Sequence, residues 1–430
     1  MAKYQQYEEY RDSGIEWLGV IPKDWISTQV KYGYTVVLGK MLQTTPKSNS
    51  DLLKPYLKAQ NVQPSGIDLT NVGLMWFSFD ERKRLLLKKK DILVSEGGDV
   101  GRAAIWNNEI EECYIQNAIN RVRPRYTNDS RFFYYWINYL KSTDFINIIC
   151  NKATIAHYTA DKLQGSPLIL PSPLEQIQIA NFLDHETAQI DTLIDKQQTL
   201  IQLLKEKRQA VISHAVTKGL NPDAPMKDSG VEWLGEVPEH WVVQSIKYAF
   251  ESLNFRRIPL SSEIRGERKG SFRYYGASGV IDYVDDYIFD EPTVLVGEDG
   301  ANLVSRNTPL AFSAHGKYWV NNHAHILRPK DAFADYWAEV IEHIDVNPIV
   351  SGSAQPKLTA EALSNLIIAF PPETEERAQI DTYIKKRKEK YGDLIKKAEQ
   401  AIQLMQERRT ALISAAVTGK IDVRGWVASE

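Results

Sequence analysis

Two groups of basic residues are the parts of this sequence best suited to a chemical role, and the role that they suit is phosphate binding. Arg82–Arg84 and Lys88–Lys90 flank a short apolar triplet. A comparable basic group in the second half of the chain lies between Arg256 and Tyr274. Arginine and lysine bind phosphate groups, and interleaved tyrosines suit contact with bases. The pattern favours nucleic-acid contact, whereas a solvated charged face would explain any single group equally well.

Polar side chains near residue 322 add groups that suit the reading of base edges. His323 and His325 alternate along the sequence, so in a strand they would face the same side. A His-x-His pair could also bind a metal, but no cysteine or carboxylate stands at ligand spacing, which favours a polar role. The candidate DNA-binding residues are Arg82, Lys83, Arg84, Lys88, Lys89, Lys90, Arg268, Lys269, Arg273, Tyr274, Asn322 and His323.

Motifs that mark catalytic sites are missing from the sequence. It contains no GxxxxGK[ST] loop, no GxGxxG turn after a strand, and no HExxH or GxSxG motif. It also lacks the Asn-Pro-Pro-Tyr or Asp-Pro-Pro-Tyr tetrapeptide of adenine methyltransferases. We therefore expect a chain that is not itself an enzyme and that has no catalytic residue, metal site or cofactor of its own.

Composition places the chain among ordinary globular proteins with more than one domain. It has 430 residues, of which 43% are hydrophobic and 25% charged, and a net charge of −3. Any basic surface must therefore be local. The only cysteines are Cys113 and Cys150, which fits a reducing cytoplasm. No run of about 18 apolar residues and no signal peptide is present, so we expect a cytoplasmic protein without a membrane span.

An internal repeat organises these residues. The segment 12–19 (DSGIEWLG) returns as 228–235 (DSGVEWLG), and a proline and a second tryptophan follow in both copies. Further along, 93–98 matches 295–300, which pairs Glu96 with Glu298. The shift is 216 residues for the first pair and 202 for the second, so the material between the shared positions has diverged. Two similar halves in one chain imitate a two-fold dimer.

A long helix follows the mixed part of each half. After Pro173 no glycine or proline occurs until Gly219, and apolar residues recur with heptad spacing. The second copy keeps this register 201 residues later, and Gly219 and Gly419 are suited to end the helices. The predicted coiled-coil interface comprises Leu183, Ile190, Ile194, Ile201, Leu204, Val211, Ile384, Tyr391, Ile395, Ile402, Met405 and Leu412.

We predict an α+β fold in which two mixed α/β domains are joined by two long antiparallel helices in a coiled coil, with an internal pseudo-two-fold repeat. A helix of 40 residues is about 60 Å long. The alternative is that each helix only docks on its own domain. The predicted segments are residues 1–171 (first mixed domain with the N-terminal segment), 172–220 (first helix), 221–371 (linker and second mixed domain) and 372–430 (second helix and tail).

The sequence resembles the DNA specificity subunits of type I restriction-modification systems. The likeness lies in Ser13–Gly19 with Ile21, Pro22 and Trp25, in the second copy of that segment, and in Leu168–Gln176 continuing to Leu183. The stretches 274–282, 296–301 and 321–325 are similar to one common type of recognition domain. The second copy of the 168–183 element departs from the pattern at Glu376-Arg377 and at Asp381.

The resemblance implies a division of labour. Each half would read one part of a bipartite, asymmetric site in double-stranded DNA, and the paired helices would separate the domains. Two methyltransferase (modification) subunits would dock on the helices, and restriction subunits that translocate DNA would join them. S-adenosylmethionine, ATP and Mg would be used in those partner subunits. The alternatives are a coiled-coil protein–protein scaffold without DNA contact and an enzyme with an unrecognised site.

Overall fold

The chain consists of two compact units. The computed structural model describes residues 4–150, 156–352 and 355–428. Unit 1 comprises Met1–Gln197 with Ala401–Glu430, and unit 2 comprises Gln198–Gln400. Each long helix is therefore divided between the units, whereas the sequence-based boundaries treated the helices as separate segments. Those boundaries stay predictions.

Unit 1 begins with the first copy of the repeated segment and continues into a mixed α/β domain. Its strands are β1 (Tyr10–Asp12), β2 (Val20–Pro22), β3 (Ile26–Gln29), β4 (Tyr34–Leu38), β5 (Leu52–Leu57), β6 (Val62–Gln63), β7 (Gly66–Ile67), β8 (Gly73–Phe77), β9 (Ile92–Ser95), β10 (Ala103–Ile105), β11 (Tyr114–Ile115), β12 (Ile119–Pro124) and β13 (Pro167–Leu170). Its helices are α1 (Val30–Gly33), α2 (Phe79–Leu85), α3 (Ser130–Ser142), α4 (Phe145–Ile149), α5 (Ala160–Gly165) and the first part of α6 (Pro173–Lys218).

The central sheet of unit 1 has the strand order β10-β9-β12-β4 and is antiparallel. All four residues of β9 are buried, because the strand is apolar on both faces and lies inside the sheet. Helix α3 has a strongly amphipathic sequence, and Phe132 and Trp136 on its apolar face share a core with Ile92 and Val94 of β9. A second sheet, β11-β5-β8, has its own smaller core.

Unit 2 repeats this plan. Its strands are β14 (Met226–Asp228), β15 (Glu236–Pro238), β16 (Val242–Ser245), β17 (Phe250–Ser252), β18 (Lys269–Gly276), β19 (Gly279–Val284), β20 (Phe289–Asp290), β21 (Thr293–Gly297), β22 (Ala311–Ala314), β23 (Lys317–Val320), β24 (Ala324–Pro329) and β25 (Ile367–Phe370). Its helices are α7 (Ser262–Glu267), α8 (Asn302–Ser305), α9 (Ala334–Glu342), α10 (Ala360–Asn365), the last part of α6 and the first part of α11 (Thr374–Val417), whose last part belongs to unit 1. Its central sheet has the order β17-β24-β21-β22, which matches β4-β12-β9-β10, and a second sheet has the order β19-β18-β23-β20.

The two long helices run in opposite directions, as predicted. In unit 1, Ile190 from the first part of α6 shares a core with Leu412 from the last part of α11, and Arg409 pairs with Asp191 at 2.9 Å. In unit 2, Ile212 from the last part of α6 shares a core with Ile384 from the first part of α11. All twelve residues of the predicted interface are buried or half-buried. The helices also pack on the domain of their unit, but because they pair with each other as well, the alternative that each helix only docks on its own domain is wrong.

The ends of the helices connect to the repeated segments through equivalent glycines. Gly219 and Gly419 have φ values of +79° and +71°, the left-handed conformation that favours glycine after a helix. Within unit 1, a Cβ on Gly419 would stand 2.3 Å from the Pro22 ring and 3.2 Å from Trp25. Within unit 2, a Cβ on Gly219 would meet Trp241 at 3.4 Å. Each repeated segment therefore packs its second tryptophan on the end of a long helix.

Candidate nucleic-acid interface

In unit 2, four irregular segments converge at one end of the central sheet. They are the turn between β18 and β19 (277–278), the loop after β21 (298–300), the loop before β24 (321–323) and the segment before α10 (355–358). The Glu298 amide donates to the His323 carbonyl at 2.9 Å, and the Glu298 carbonyl accepts from the Leu358 amide at 2.8 Å. The Asn321 amide donates to the Tyr275 carbonyl at 3.0 Å. These bonds satisfy backbone groups that loops otherwise leave to water, and so they fix the segments together.

A buried histidine joins these segments to the sheet. His325 Nε2 lies 2.7 Å from the Leu358 carbonyl, which can only accept, so Nε2 carries the hydrogen. Nδ1 then accepts from the side-chain amide of Asn254 at 3.0 Å, and the Asn254 oxygen accepts from the Ile326 amide. Burial lowers the pKa of His325, and this outweighs the hydrogen bond to the Leu358 carbonyl and the charge of Glu298, which raise it. The neutral ring is therefore the form that this arrangement holds.

An ion pair supports the same loops from the other side. Arg257 Nη1 donates to the Glu298 carboxylate at 2.5 Å and to the Asn322 and Ala324 carbonyls at 3.2 and 3.1 Å. Lys357 Nζ lies 3.3 Å from the second oxygen of Glu298. Burial would raise the pKa of Glu298, but the hydrogen bond from Arg257 and the surrounding positive charge lower it overall. The carboxylate is thus held ionised at the base of the loops.

The same arrangement occurs in unit 1 at the matching positions. The Glu96 amide donates to the Ala118 carbonyl at 2.9 Å, and the Glu96 carbonyl accepts from the Tyr158 amide at 2.8 Å. Asn120 stands where His325 stands in unit 2, and its side chain donates to the Tyr158 carbonyl at 3.0 Å. Asn120 is fully buried. We call this arrangement the loop latch, formed by Glu96, Asn120 and Tyr158 in unit 1 and by Glu298, His325 and Leu358 in unit 2.

Each loop latch lies beside a surface of polar side chains. In unit 1, Gln116 and Asn117 precede β12, and the Asn117 amide donates to the Lys40 carbonyl at 2.9 Å. Amide, hydroxyl and imidazole groups are the ones that hydrogen-bond to base edges, and lysine binds phosphate or guanine. We call the two surfaces the loop surfaces: Gln116, Asn117 and His157 in unit 1, and Ser278, Asn322, His323 and Lys357 in unit 2. The side chain of Lys40 is not part of them, because it is buried and paired with Glu81.

The predicted basic residues of unit 1 lie at the opposite end of β9 from the loop latch. Lys83 and Arg84 stand in the last turn of α2, and Lys88–Lys90 form the turn before β9. All five are exposed, and within the described part of the chain none of them forms an ion pair. The carboxylate of Asp91 is buried and already bound by Arg123 through two contacts of 2.6 Å. Five cations are therefore available to phosphate.

Two arginines behind this group are less accessible. The Arg82 guanidinium is half-buried and lies 5.7 Å from the centre of the Phe79 ring. Arg121 is buried and donates to the Arg84 and Leu86 carbonyls at 2.8 and 3.2 Å. Burial, together with the charge of neighbouring arginines, lowers the pKa of Arg121 to about 10. Arg121 therefore supports the backbone below the exposed cations.

The prediction that Tyr274 contacts DNA does not fit the structure. Tyr274 lies in β18 with its ring fully buried, and its hydroxyl accepts from the Leu260 amide at 2.9 Å. The expectation that His323 and His325 face the same side is also wrong, because β24 begins only at Ala324. His323 is exposed and bonds to Asp299 at 2.9 Å, whereas His325 is buried.

Two of the predicted basic residues in unit 2 are neutralised by neighbouring acids. Arg268 pairs with Asp285 at 2.9 Å, and Lys269 pairs with Asp282 at 2.6 Å. Arg273 is exposed and lies 3.5 Å from the Tyr275 hydroxyl. The structure thus leaves Arg273 as the predicted cation of unit 2 that has no carboxylate within ion-pair distance among the described residues. Sequence alone did not reveal these pairs, because the acids lie on or beyond the next strand.

Several residues of the loop surfaces were not singled out from the sequence. Gln116 and Asn117 lie in a segment without an obvious motif, and Lys357 and Ser278 stand alone among dissimilar neighbours. The repeat contained one usable signal. Arg123-Pro124 matches Arg328-Pro329 at a shift of 205 residues, and the same shift places Gln116-Asn117 opposite Asn321-Asn322.

The described residues contain no group of three histidine, cysteine or acidic side chains positioned to hold a metal ion. None of the helices in the described ranges is both long and apolar enough to span a bilayer. Cys113 and Cys150 are buried free thiols. The geometry at both loop surfaces is therefore that of a polar binding surface with a rigid base.

His325→Asn should make the stability of the chain less sensitive to acid. Because the folded-state pKa is lowered, the unfolded chain takes up the proton first as the pH falls below about 6.5, and stability is lost from there down to the folded pKa. Asparagine can donate to the Leu358 carbonyl, just as Asn120 donates to the equivalent Tyr158 carbonyl in unit 1, and asparagine does not titrate. Urea unfolding at pH 7.5 and 5.5 should show a smaller loss of stability for the variant than for the original chain. Equal losses in the two proteins would contradict this role of His325.

Comparison with known families agrees with the resemblance seen in the sequence. The model of the type I restriction modification DNA specificity domain matches residues 43–203 and 238–412, which together make up more than half of the chain. Each half contributes one matched segment. The break between the segments coincides with the end of α6 and the second copy of the repeated segment.

Curated relatives match parts of the chain. A putative type I restriction enzyme specificity subunit (S.HindORF215P) of Haemophilus influenzae is 31% identical over 121 residues, which are 28% of this chain and 30% of the relative. The EcoKI specificity subunit of Escherichia coli K12 is 25% identical over 248 residues, 56% of this chain and 49% of the relative. The matches thus span about half the length of these relatives or less.

Solved structures share the fold at low sequence identity. A chain from a study of complex assembly and conformational transition of the type I R-M system aligns with a TM-score of 0.69 and 11% identity, covering 93% of this chain and 99% of its own. The HsdS subunit from Thermoanaerobacter tengcongensis aligns with a TM-score of 0.53 and 12% identity, covering 93% and 98%. These alignments extend over both mixed domains and both long helices.

Proposed function

Because the chain belongs to the type I restriction modification DNA specificity family, we propose that it reads a two-part DNA sequence, with each unit reading one part. The observation that carries this proposal is the loop latch. Both units keep its hydrogen bonds, while the side chains on the loop surfaces differ between them. A rigid base that is kept and a polar surface that varies suit two readers of different sequences. The site read should therefore be asymmetric.

Phosphate contacts would supply the sequence-independent part of the affinity. The exposed Lys83, Arg84 and Lys88–Lys90 have no ion pair within the described residues, so no internal bond has to break when they bind DNA. Phosphate contacts fix register and orientation on the duplex, and base contacts then select the sequence. We assign the first role to this basic group and the second to the loop surfaces.

We further propose that the paired helices hold the two readers at a set separation and bind two modification subunits. Exposed leucines support the second role, since both long helices present them to solvent: Leu193, Leu200, Leu203, Leu394 and Leu404. Restriction subunits would join this core. S-adenosylmethionine, ATP and Mg would act in those partners, and this chain would recognise DNA without catalysis of its own.

Methylation sequencing of cells that express this chain with a type I modification subunit tests the proposal as a whole. We expect methylation in a motif of two short, different half-sites separated by a few unspecified bases, with centres about one helical turn apart. A continuous palindromic motif would contradict the two-reader proposal. Methylation that does not depend on this chain would favour a protein scaffold without DNA contact.

Removal of the basic turn should weaken DNA binding and reduce its dependence on salt. Each lost phosphate contact lowers the slope of log affinity against log salt by about 0.9, so Lys88→Ala, Lys89→Ala and Lys90→Ala together should lower it by up to about 2.7. The double variant Arg268→Ala and Lys269→Ala is the control, because both residues are already paired with acids. Fluorescence anisotropy on a labelled duplex measures both slopes. A larger change in the control than in the triple variant would reverse the assignment.

A further inference from the structure

The repeated segment at the start of each half presents a tryptophan to solvent. Trp17 and Trp233 are each 43% exposed, although most aromatic side chains of the described domains are buried. A half-exposed tryptophan ring is costly to leave in water and is a frequent anchor in protein interfaces. The identical exposure in two separate units calls for an explanation other than packing within one domain.

The turn that carries the tryptophan is built in the same way in both units. In unit 1, the Ser13 amide donates to the Gly19 carbonyl at 3.0 Å, and the Gly14 amide donates to the Asp12 carboxylate at 2.8 Å. In unit 2 the equivalent distances are 3.0 and 2.9 Å. Gly14 has a φ of +73°, and its counterpart Gly230 has +72°. The backbone therefore presents both rings from equivalent turns.

The residues beneath the two rings have diverged. Trp17 lies against the rings of Tyr139 and Phe145, with centroid distances of 6.2 and 5.4 Å. Trp233 instead borders a small cavity that Val340 and Ile344 also line. If packing alone maintained the tryptophans, the side chains beneath the two rings would be expected to match. What the two copies share is the turn, the outward face of the ring and its place near the end of an equivalent helix, α3 or α9.

The charges around each ring are also shared. Asp12 and Glu16 are exposed beside Trp17, and Asp228 and Glu232 are exposed beside Trp233. Among the described residues, Glu16 and Glu232 make no ion pair. The basic residue just before each repeated segment is engaged by the chain itself. Arg11 donates to the Trp25 carbonyl at 2.5 Å, and Lys227 donates to the Trp241 carbonyl at 2.8 Å. Each surface is thus an aromatic face with an acidic border.

We propose that the outward faces of Trp17 and Trp233 are two copies of one docking surface, and that each binds one copy of the modification subunit. This inference rests on the proposed function and adds a second contact for that subunit beside the exposed leucines of the long helices. A surface whose tryptophan and acidic residues are duplicated, on units whose loop surfaces differ, fits a partner that is itself present in two identical copies. The partner should present an apolar pocket for the indole, bordered by lysine or arginine.

Native mass spectrometry of the co-expressed complex tests this directly. The original chain should carry two modification subunits, and the single variants Trp17→Ala and Trp233→Ala should each carry one. The double variant should carry none, even at subunit concentrations tenfold above those that saturate the original chain. Glu16→Lys with Glu232→Lys should also weaken binding, and these exposed side chains can change without disturbing the fold. Tyr126→Ala, at an exposed aromatic without a counterpart, is the matched control and should keep two subunits.

The possible failures can be told apart by measuring DNA binding on the same proteins. If the original chain carries two subunits and the double tryptophan and double glutamate variants also do, the docking surface is wrong and the proposed function stands. If the original chain binds DNA but no modification subunit, the scaffolding role fails and the docking surface with it. Loss of DNA affinity in the double tryptophan variant, with two subunits retained, would assign the surface to DNA instead. Self-association of the original chain that the tryptophan variants abolish would assign it to a second copy of the chain.

Discussion

The loop latch is the constraint on which the loop surfaces depend. In both units, the backbone carbonyl and amide of one residue, Tyr158 or Leu358, are bound by a buried side chain and by the carbonyl after the central strand. Irregular segments expose many backbone groups, and they hold a fixed geometry only when those groups have partners. The latch provides the partners from the rigid sheet. The side chains above it are therefore free to vary without loss of the loop conformation.

Asn120 and His325 show how the same role is filled by different chemistry. Both are buried on equivalent strands and donate to equivalent carbonyls, Asn120 to that of Tyr158 and His325 to that of Leu358. Histidine is larger, and its second nitrogen engages Asn254, which in turn binds the next amide of β24. Unit 2 also adds Arg257 below the loops, whereas in unit 1 burial raises the pKa of Glu96 and the charge of His157 only partly offsets it. The two latches thus share geometry but differ in their response to acid.

The sequence predicted the parts of the fold that repeat with a simple period. The heptad spacing gave the long antiparallel helices, and Gly219 and Gly419 gave their ends. The loop surfaces were harder to predict, because they depend on contacts between segments far apart in sequence. Tyr274 was predicted to lie at the surface because basic residues stand close to it in the sequence, but the alternation of side chains along the strand places its ring inside. Arg268 and Lys269 looked like free cations until the structure placed acids from the β19 hairpin beside them.

The central claim is that each unit reads its own half of the DNA site through its loop surface. Methylation sequencing with the variant Ser278→Ala, Asn322→Ala and His323→Ala in unit 2 tests it most directly. The account predicts that one half of the methylated motif becomes less specific while the other half and the spacing stay unchanged. Alanine at Gln116, Asn117 and His157 in unit 1 should alter the other half. A change in both halves from either set, or an unchanged motif from both, would contradict the account.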